Sequence, residues 1–211
     1  MNFLTKKLFL LFVSLLPSFS IYAYDFEIDG LYYEVNIEEM TATLVAGDKP
    51  YSGAITIPEK VTYKERTFAI VSINGAFKNC NALTSVIIPE CITSLGAYTF
   101  SGCESLYEII GMTGISEIGD FCFNSCSNLK ELILPENLNS IGDFAFSNCK
   151  QLSSLNIPSG ITVLSTGLFY GCTSLNDFKI PPRTISIEDD VFKNCTNLSE
   201  IIIPSSPTTI N

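Results

Sequence analysis

No histidine and no tryptophan occur among the 211 residues, and 12 lysines and arginines face 22 aspartates and glutamates. Without histidine the chain has neither the commonest general base nor the commonest metal ligand. Without tryptophan it lacks the broad ring on which sugars often stack. A formal charge of −10 argues against nucleic acid, whose binding depends on neutralising phosphates with Lys and Arg. It argues equally against electrostatic docking on anionic lipid. The apolar run Leu8 to Leu16 is shorter than the roughly 20 residues a membrane span needs. It follows Lys6 and Lys7 and precedes Ile21-Tyr22-Ala23, so residues 1–23 read as an export signal cut after Ala23. No cysteine precedes Cys80, which leaves no candidate for lipid attachment at the cut. The protein is expected to be secreted or at the cell surface, with no transmembrane segment after signal removal.

What the chain does have is a period. Phe77-Lys78-Asn79-Cys80 returns as Phe100-Ser101-Gly102-Cys103, then at Phe123, Phe146, Phe169 and Phe192, each 23 residues after the last. Leu83, Leu106, Leu129, Leu152, Leu175 and Leu198 keep the same step. Pro89, Pro135, Pro158, Pro181 and Pro204 form a third column, interrupted by Met112. A fixed period in the twenties signals a solenoid in which each repeat is one coil and only stacking builds a core. Within a repeat, Leu155-Asn156-Ile157 alternates as a half-buried strand does, and Pro158 ends it because proline has no N–H to give. Asp143 to Ser147 is expected to be a short helical turn. The column Asn79, Gly102, Ser125, Asn148, Gly171 and Asn194 favours residues that tolerate a left-handed backbone, so the turn should end there. Stacked strands would form one parallel sheet with neighbours about 4.8 Å apart. Val86, Ile109, Leu132, Leu155, Phe178 and Ile201 would face the core, as would Ile88, Leu134, Ile157, Ile180 and Ile203.

Residues 24–69 do not follow the period. Asp29-Gly30 between alternating runs predicts a hairpin, and a second is expected around Lys64-Glu65-Arg66. A first coil has no neighbour on one side, so this segment is expected to be an N-terminal β-hairpin cap, with an independent binding module as the alternative. The predicted organisation is therefore an export signal (1–23), a β cap (24–69) and six 23-residue repeats (70–211) wound as a β-rich right-handed coil.

The repeat Ile-x-x-Ile-Gly-x-x-Ala-Phe-x-x-Cys-x-x-Leu-x-x-Ile-x-Ile-Pro resembles the BspA-like class of leucine-rich repeats. Ile141-Gly142, Ala145-Phe146, Cys149, Leu152, Leu155, Ile157 and Pro158 carry the likeness, and Asp29 to Tyr33 with Ile55-Thr56-Ile57-Pro58 resembles the leader segment common in that family. Met112 departs from the pattern, as do Leu164-Ser165 and Ile187-Glu188, which replace the Ile-Gly pair. The resemblance implies a secreted or surface protein of anaerobic bacteria, some relatives of which adhere to extracellular-matrix proteins or to other cells. It carries over no catalytic residue and no cofactor.

Eight cysteines invite a disulfide or metal reading. Six of them share one inward column, where a free thiol packs as a small apolar side chain; ladder disulfides and metal binding are the alternatives, since coil spacing lies within disulfide reach. Cys91 is expected at a turn and reachable. The outward strand positions give Ser85, Glu108, Glu131, Ser154, Asp177 and Glu200, beside Ile87, Ile110, Ile133, Asn156, Lys179 and Ile202. That ladder of carboxylates and isoleucines is a solvated acidic face, a protein-binding face, or a calcium site. The candidate partner-binding residues are Glu108, Ile110, Glu131, Ile133, Asp177, Lys179, Glu200 and Ile202. The expected function is exported, non-enzymatic protein binding or adhesion, the partner being an extracellular protein such as a host matrix protein. The alternative is an extracellular glycan-binding or hydrolytic accessory protein.

Overall fold

A computed structural model describes residues 24–211 apart from Asp177, Ser206 and Thr208. The expected export signal therefore lies outside the described residues. The N-terminal segment begins with β1 (Phe26–Ile28) and β2 (Leu31–Asn36), antiparallel across Asp29-Gly30. Both turn residues are left-handed, at φ 52° and 78°, the conformation a tight hairpin turn demands. Strand β3 (Thr41–Val45) pairs antiparallel with β2, and β4 (Gly53–Thr56) leaves this sheet. A second hairpin, β5 (Lys60–Tyr63) and β6 (Arg66–Ile73), turns on left-handed Lys64 and Glu65. Strand β6 runs unbroken through Ala69 and Ile70 and pairs parallel with β3, so N-terminal sheet and repeats share a strand.

From there the 23-residue step becomes a geometric step. Strands β7 (Leu83–Ile87) and β9 (Glu108–Ile110) extend β4 as one parallel ladder. Two-residue strands β8 (Ser94–Leu95), β10 (Glu117–Ile118) and β11 (Ser140–Ile141) extend β6 as another. Strands β12 (Val163–Leu164), β13 (Ser186–Ile187) and β14 (Thr209–Ile210) form a third parallel group on the same repeat positions. The single parallel sheet expected from the sequence is thus replaced by several.

Each interruption falls at a departure from the repeat. In the β8 ladder the residue after the strand donates its N–H to the previous repeat: Gly96 to Ile73, Gly119 to Leu95, Gly142 to Ile118. A Cβ at Gly119 would lie 2.6 Å from the Ala97 nitrogen, whereas Glu188, which has a Cβ, makes the equivalent bond to Leu164 in the later ladder. Ser165 has that Cβ, and its hydroxyl rather than its backbone reaches the Ile141 carbonyl. The ladder parts there, between β11 and β12. In the β7 ladder the interruption follows β9, at Gly111-Met112, where a 3-10 turn over Met112–Gly114 replaces the usual proline.

The expected helical turn is not a helix. Between the second strand and the cysteine, N–H groups alternate between two uses. Thr99, Ser101 and Cys103 donate three residues back, while Tyr98, Phe100 and Gly102 donate to Asp120, Cys122 and Asn124 of the next repeat. A helix would spend all these donors internally; here half of them tie repeats together. The expected left-handed column is present in all six repeats, with φ from 57° to 76° at Asn79, Gly102, Ser125, Asn148, Gly171 and Asn194. A second left-handed column that the sequence did not suggest runs through Gly75, Tyr98, Phe121, Phe144, Gly167 and Asp190.

The core is one continuous cluster. Its axis is a file of phenylalanines: Phe77–Phe100, Phe100–Phe123 and Phe123–Phe146 have ring centroids 5.1, 5.3 and 5.2 Å apart, nearly parallel. The spacing widens to 5.9 Å for Phe146–Phe169 and Phe169–Phe192, where the bulkier Phe178 contacts both later rings edge-on. Tyr51 closes the N-terminal end, 5.0 Å from Phe77, with its hydroxyl donating to the Val45 carbonyl. The expected inward columns are buried with three exceptions. Ile109 and Ile201 are partly exposed, and Ile203 is 51% exposed because among the described residues no further repeat packs over it.

Candidate partner-binding face

The carboxylates Glu108, Glu131 and Glu200 are exposed, as are Lys179 and the isoleucines Ile110, Ile133 and Ile202. Asp177 lies outside the described residues. Alternation explains the exposure: each stands beside a residue whose side chain enters the core, such as Leu132 between Glu131 and Ile133. Ile133 is 86% exposed, a large apolar side chain with almost no protein against it.

These positions do not form one continuous ladder. Glu108 and Ile110 belong to β9. Glu131 and Ile133 lie on extended chain outside any strand, while Lys179 and Ile202 meet only as an isolated parallel bridge. The structure instead gathers four of the eight at one place. Glu108, Ile110, Glu131 and Ile133 line an open groove of about 750 Å³ between the second and third repeats, with Tyr107 at its rim.

Gly111 lines the groove. In the repeat alignment this residue occupies the inward column held elsewhere by Ile88, Leu134, Ile157 and Ile180. A side chain there is impossible without rearrangement, since a Cβ on Gly111 would overlap the Ile88 carbonyl oxygen. The backbone closes on the first repeat instead, with Ile88 N–H donating to Ile110 C=O at 2.8 Å. Met112 turns inward and is buried. Drawn toward the first repeat, this segment leaves a gap toward the third. A recurring interrepeat bond is missing at that gap. Tyr107 N–H donates to Thr84, Ser153 to Lys130 and Asn176 to Ser153; among the described residues Lys130 makes no such bond to Tyr107. In the sequence the missing proline at Met112 marks this site, and Gly111 in a column otherwise held by Ile or Leu is the signal beside it.

A second feature went unforeseen. The side chains of the second left-handed column form an outer aromatic stack: Tyr98–Phe121 at 5.0 Å and 1°, Phe121–Phe144 at 5.1 Å and 7°. The Lys78 ammonium sits 4.4 Å over the outer face of Tyr98, and Gly167 leaves room for Phe144, whose ring a Cβ there would overlap. Aromatic residues two positions before the core phenylalanine in three successive repeats are the signal that could have revealed it.

The cysteines are all free, and all but Cys91 are buried. Five thiols of the inward column donate to the carbonyl of the phenylalanine in the preceding repeat, from Cys103 to Phe77 at 3.0 Å through Cys195 to Phe169 at 3.1 Å. Burial pushes the Cys149 thiol up to about 12 and raises Cys103, Cys126 and Cys172 as well. Such thiols stay protonated and are poor nucleophiles. Among the described residues no cluster of three or more Cys, Asp or Glu could hold a metal ion, and no helix is long and apolar enough to cross a membrane.

No curated protein matches the chain. Among solved structures, a leucine-rich repeat protein from Bacteroides ovatus shares 29% identity at a TM-score of 0.69, over 89% of this chain and 56% of its own. This chain therefore spans little more than half of that relative. The Treponema pallidum leucine-rich repeat protein (23% identity, TM-score 0.76, 88% of this chain and 85% of its own) shares the fold. So does a leucine-rich cell surface protein from Faecalibacterium prausnitzii (23%, 0.71, 85% and 54%). The family model for the BspA-type leucine-rich repeat region matches six copies over residues 72–167 and 112–211. With one phenylalanine, one cysteine and one left-handed turn recurring every 23 residues, the chain belongs to the BspA-type leucine-rich repeat family.

Proposed function

We propose that this is an exported, non-enzymatic binding protein, wound as a right-handed solenoid whose N-terminal sheet covers the first repeat. It would act outside the cell, at the surface or after secretion, by holding another extracellular protein against its strand face. The observation that carries this reading is the groove between the second and third repeats, where Glu108, Glu131, Ile110 and Ile133 stand exposed together. Exposed large apolar side chains grouped on one surface mark interaction sites, and flanking carboxylates steer a basic partner. A leucine-rich cell surface protein among its structural likenesses supports the location. The glycan-binding alternative needs an open ring face. In the outer stack Tyr98, Phe121 and Phe144 cover one another's faces and Lys78 covers the end, which leaves Tyr107, 57% exposed at the groove, to offer one.

The test is capture of soluble extracellular-matrix proteins by the immobilised protein, compared with the Glu108→Lys/Glu131→Lys variant. Binding should weaken at least several-fold in the variant and with added salt, since exposed charges are screened over about 8–10 Å at physiological ionic strength. Binding that ignores both changes would place the site elsewhere.

A further inference from the structure

Strand β9 is hydrogen-bonded on one side only. Its Ile110 carbonyl accepts from Ile88 of the first repeat, so by strand alternation the N–H and C=O of Ile109 point the other way, toward the third repeat. Nothing there answers them. The N–H groups of Lys130, Glu131, Leu132, Ile133 and Leu134 also donate to no protein acceptor among the described residues. By the same alternation Glu131 and Ile133 turn toward the second repeat and Leu132 toward the fourth, so Ile109 on one side and Glu131 and Ile133 on the other keep their N–H groups free across a groove of about 750 Å³. Ile109, inward by pattern, is partly exposed beside the same groove. A free sheet edge is a template for another strand.

We propose that this seam takes up an extended, basic segment of a partner protein by strand addition, a mode of recognition that rests on the strand face being the binding surface. In such complexes main-chain hydrogen bonds hold the peptide and alternate side chains give specificity. Here one set of alternate side chains enters the apolar groove beside Ile109, Met112 and Ile133. The other set meets the rim, where two carboxylates, Glu108 and Glu131, face the one ammonium of Lys130. The preferred segment alternates lysine or arginine with a branched aliphatic residue. The edge at β14 competes poorly, since it offers only Thr209 and Ile210.

The probe is the acetylated and amidated hexapeptide Lys-Val-Lys-Val-Lys-Val, with a copy N-methylated at every amide to remove its donors. Amide hydrogen exchange of the protein is followed by NMR. The peptide should slow exchange at Ile109, Glu131 and Ile133 at least tenfold, and the N-methylated copy should not. Absence of binding overturns the proposal. Protection confined to β1 or β14 overturns it too, as does concentration-dependent protection without peptide, which would make a second copy the occupant. Equal binding of both peptides, lost in Glu108→Lys/Glu131→Lys, overturns strand addition while leaving the strand face as the binding surface.

Discussion

The thiol of Cys149 donates to the carbonyl of Phe123, 3.1 Å away and one repeat earlier. That carbonyl already accepts the N–H of Cys126, so the thiol adds a second bond on the acceptor's other lone pair. Serine at this position would bring a more strongly hydrated group into a dry column, and valine would remove the donor. Cysteine is apolar enough to be buried and still bonds the next repeat.

A thiol reagent should accordingly modify the folded protein mainly at Cys91, the one exposed cysteine. All eight should react in denaturant. Fewer titratable thiols after unfolding would show a disulfide that the stacked column does not contain.

Stability should fall in alkali. Below the ordinary thiol value of about 8.5 both folded and unfolded chains keep their thiols protonated. Above it the unfolded thiols ionise while the buried ones do not, Cys149 holding its proton up to about 12. The folded state then binds more protons, so its stability declines between about pH 9 and 12, by up to about 1.4 kcal/mol per pH unit for each such thiol. Urea midpoints in reducing buffer at about pH 8 and pH 10.5 measure this. An unchanged midpoint would contradict it.

Phe146→Ala should cost about 3–5 kcal/mol, because its ring is fully buried between Phe123 and Phe169. Phe192→Ala should cost clearly less, since Phe192 is only partly buried at the end of the file. Equal losses in denaturant melts would contradict repeat-by-repeat stacking.

Thr184 occupies a core column otherwise filled by Ile92, Ile115, Leu138 and Ile161, and its buried hydroxyl has no hydrogen-bond partner among the described residues. Thr184→Val keeps the shape and removes the unpaired group. It should raise stability by roughly 1–2 kcal/mol, read as a higher urea midpoint. A loss would mean that the hydroxyl is bonded in solution.

Phe121 holds a φ of 54° while stacked between Tyr98 and Phe144. Phe121→Gly relieves the backbone but removes both stacking contacts. Phe121→Ala loses the contacts and keeps the strain. Alanine should therefore be the less stable of the two by about 1 kcal/mol, a difference that thermal melts resolve.

The sequence by itself determined the repeat, its inward columns and one left-handed turn. Those features recur every 23 residues, and a side chain's burial in a stacked array depends on its own position in the repeat. What the sequence could not show is how neighbouring backbones meet, because that depends on atoms 23 residues apart. Gly111, without a Cβ, lies against the Ile88 carbonyl and beside the groove that divides the expected ladder of Glu108 and Glu131. At Ser165 a hydroxyl reaches the preceding repeat where Gly142 and Glu188 reach it with the backbone. The alternating bonds from Tyr98, Phe100 and Gly102 likewise became visible only with the next repeat in place. Local pattern determined which residues are inside, and the close approach of main chains decided where the surface opens.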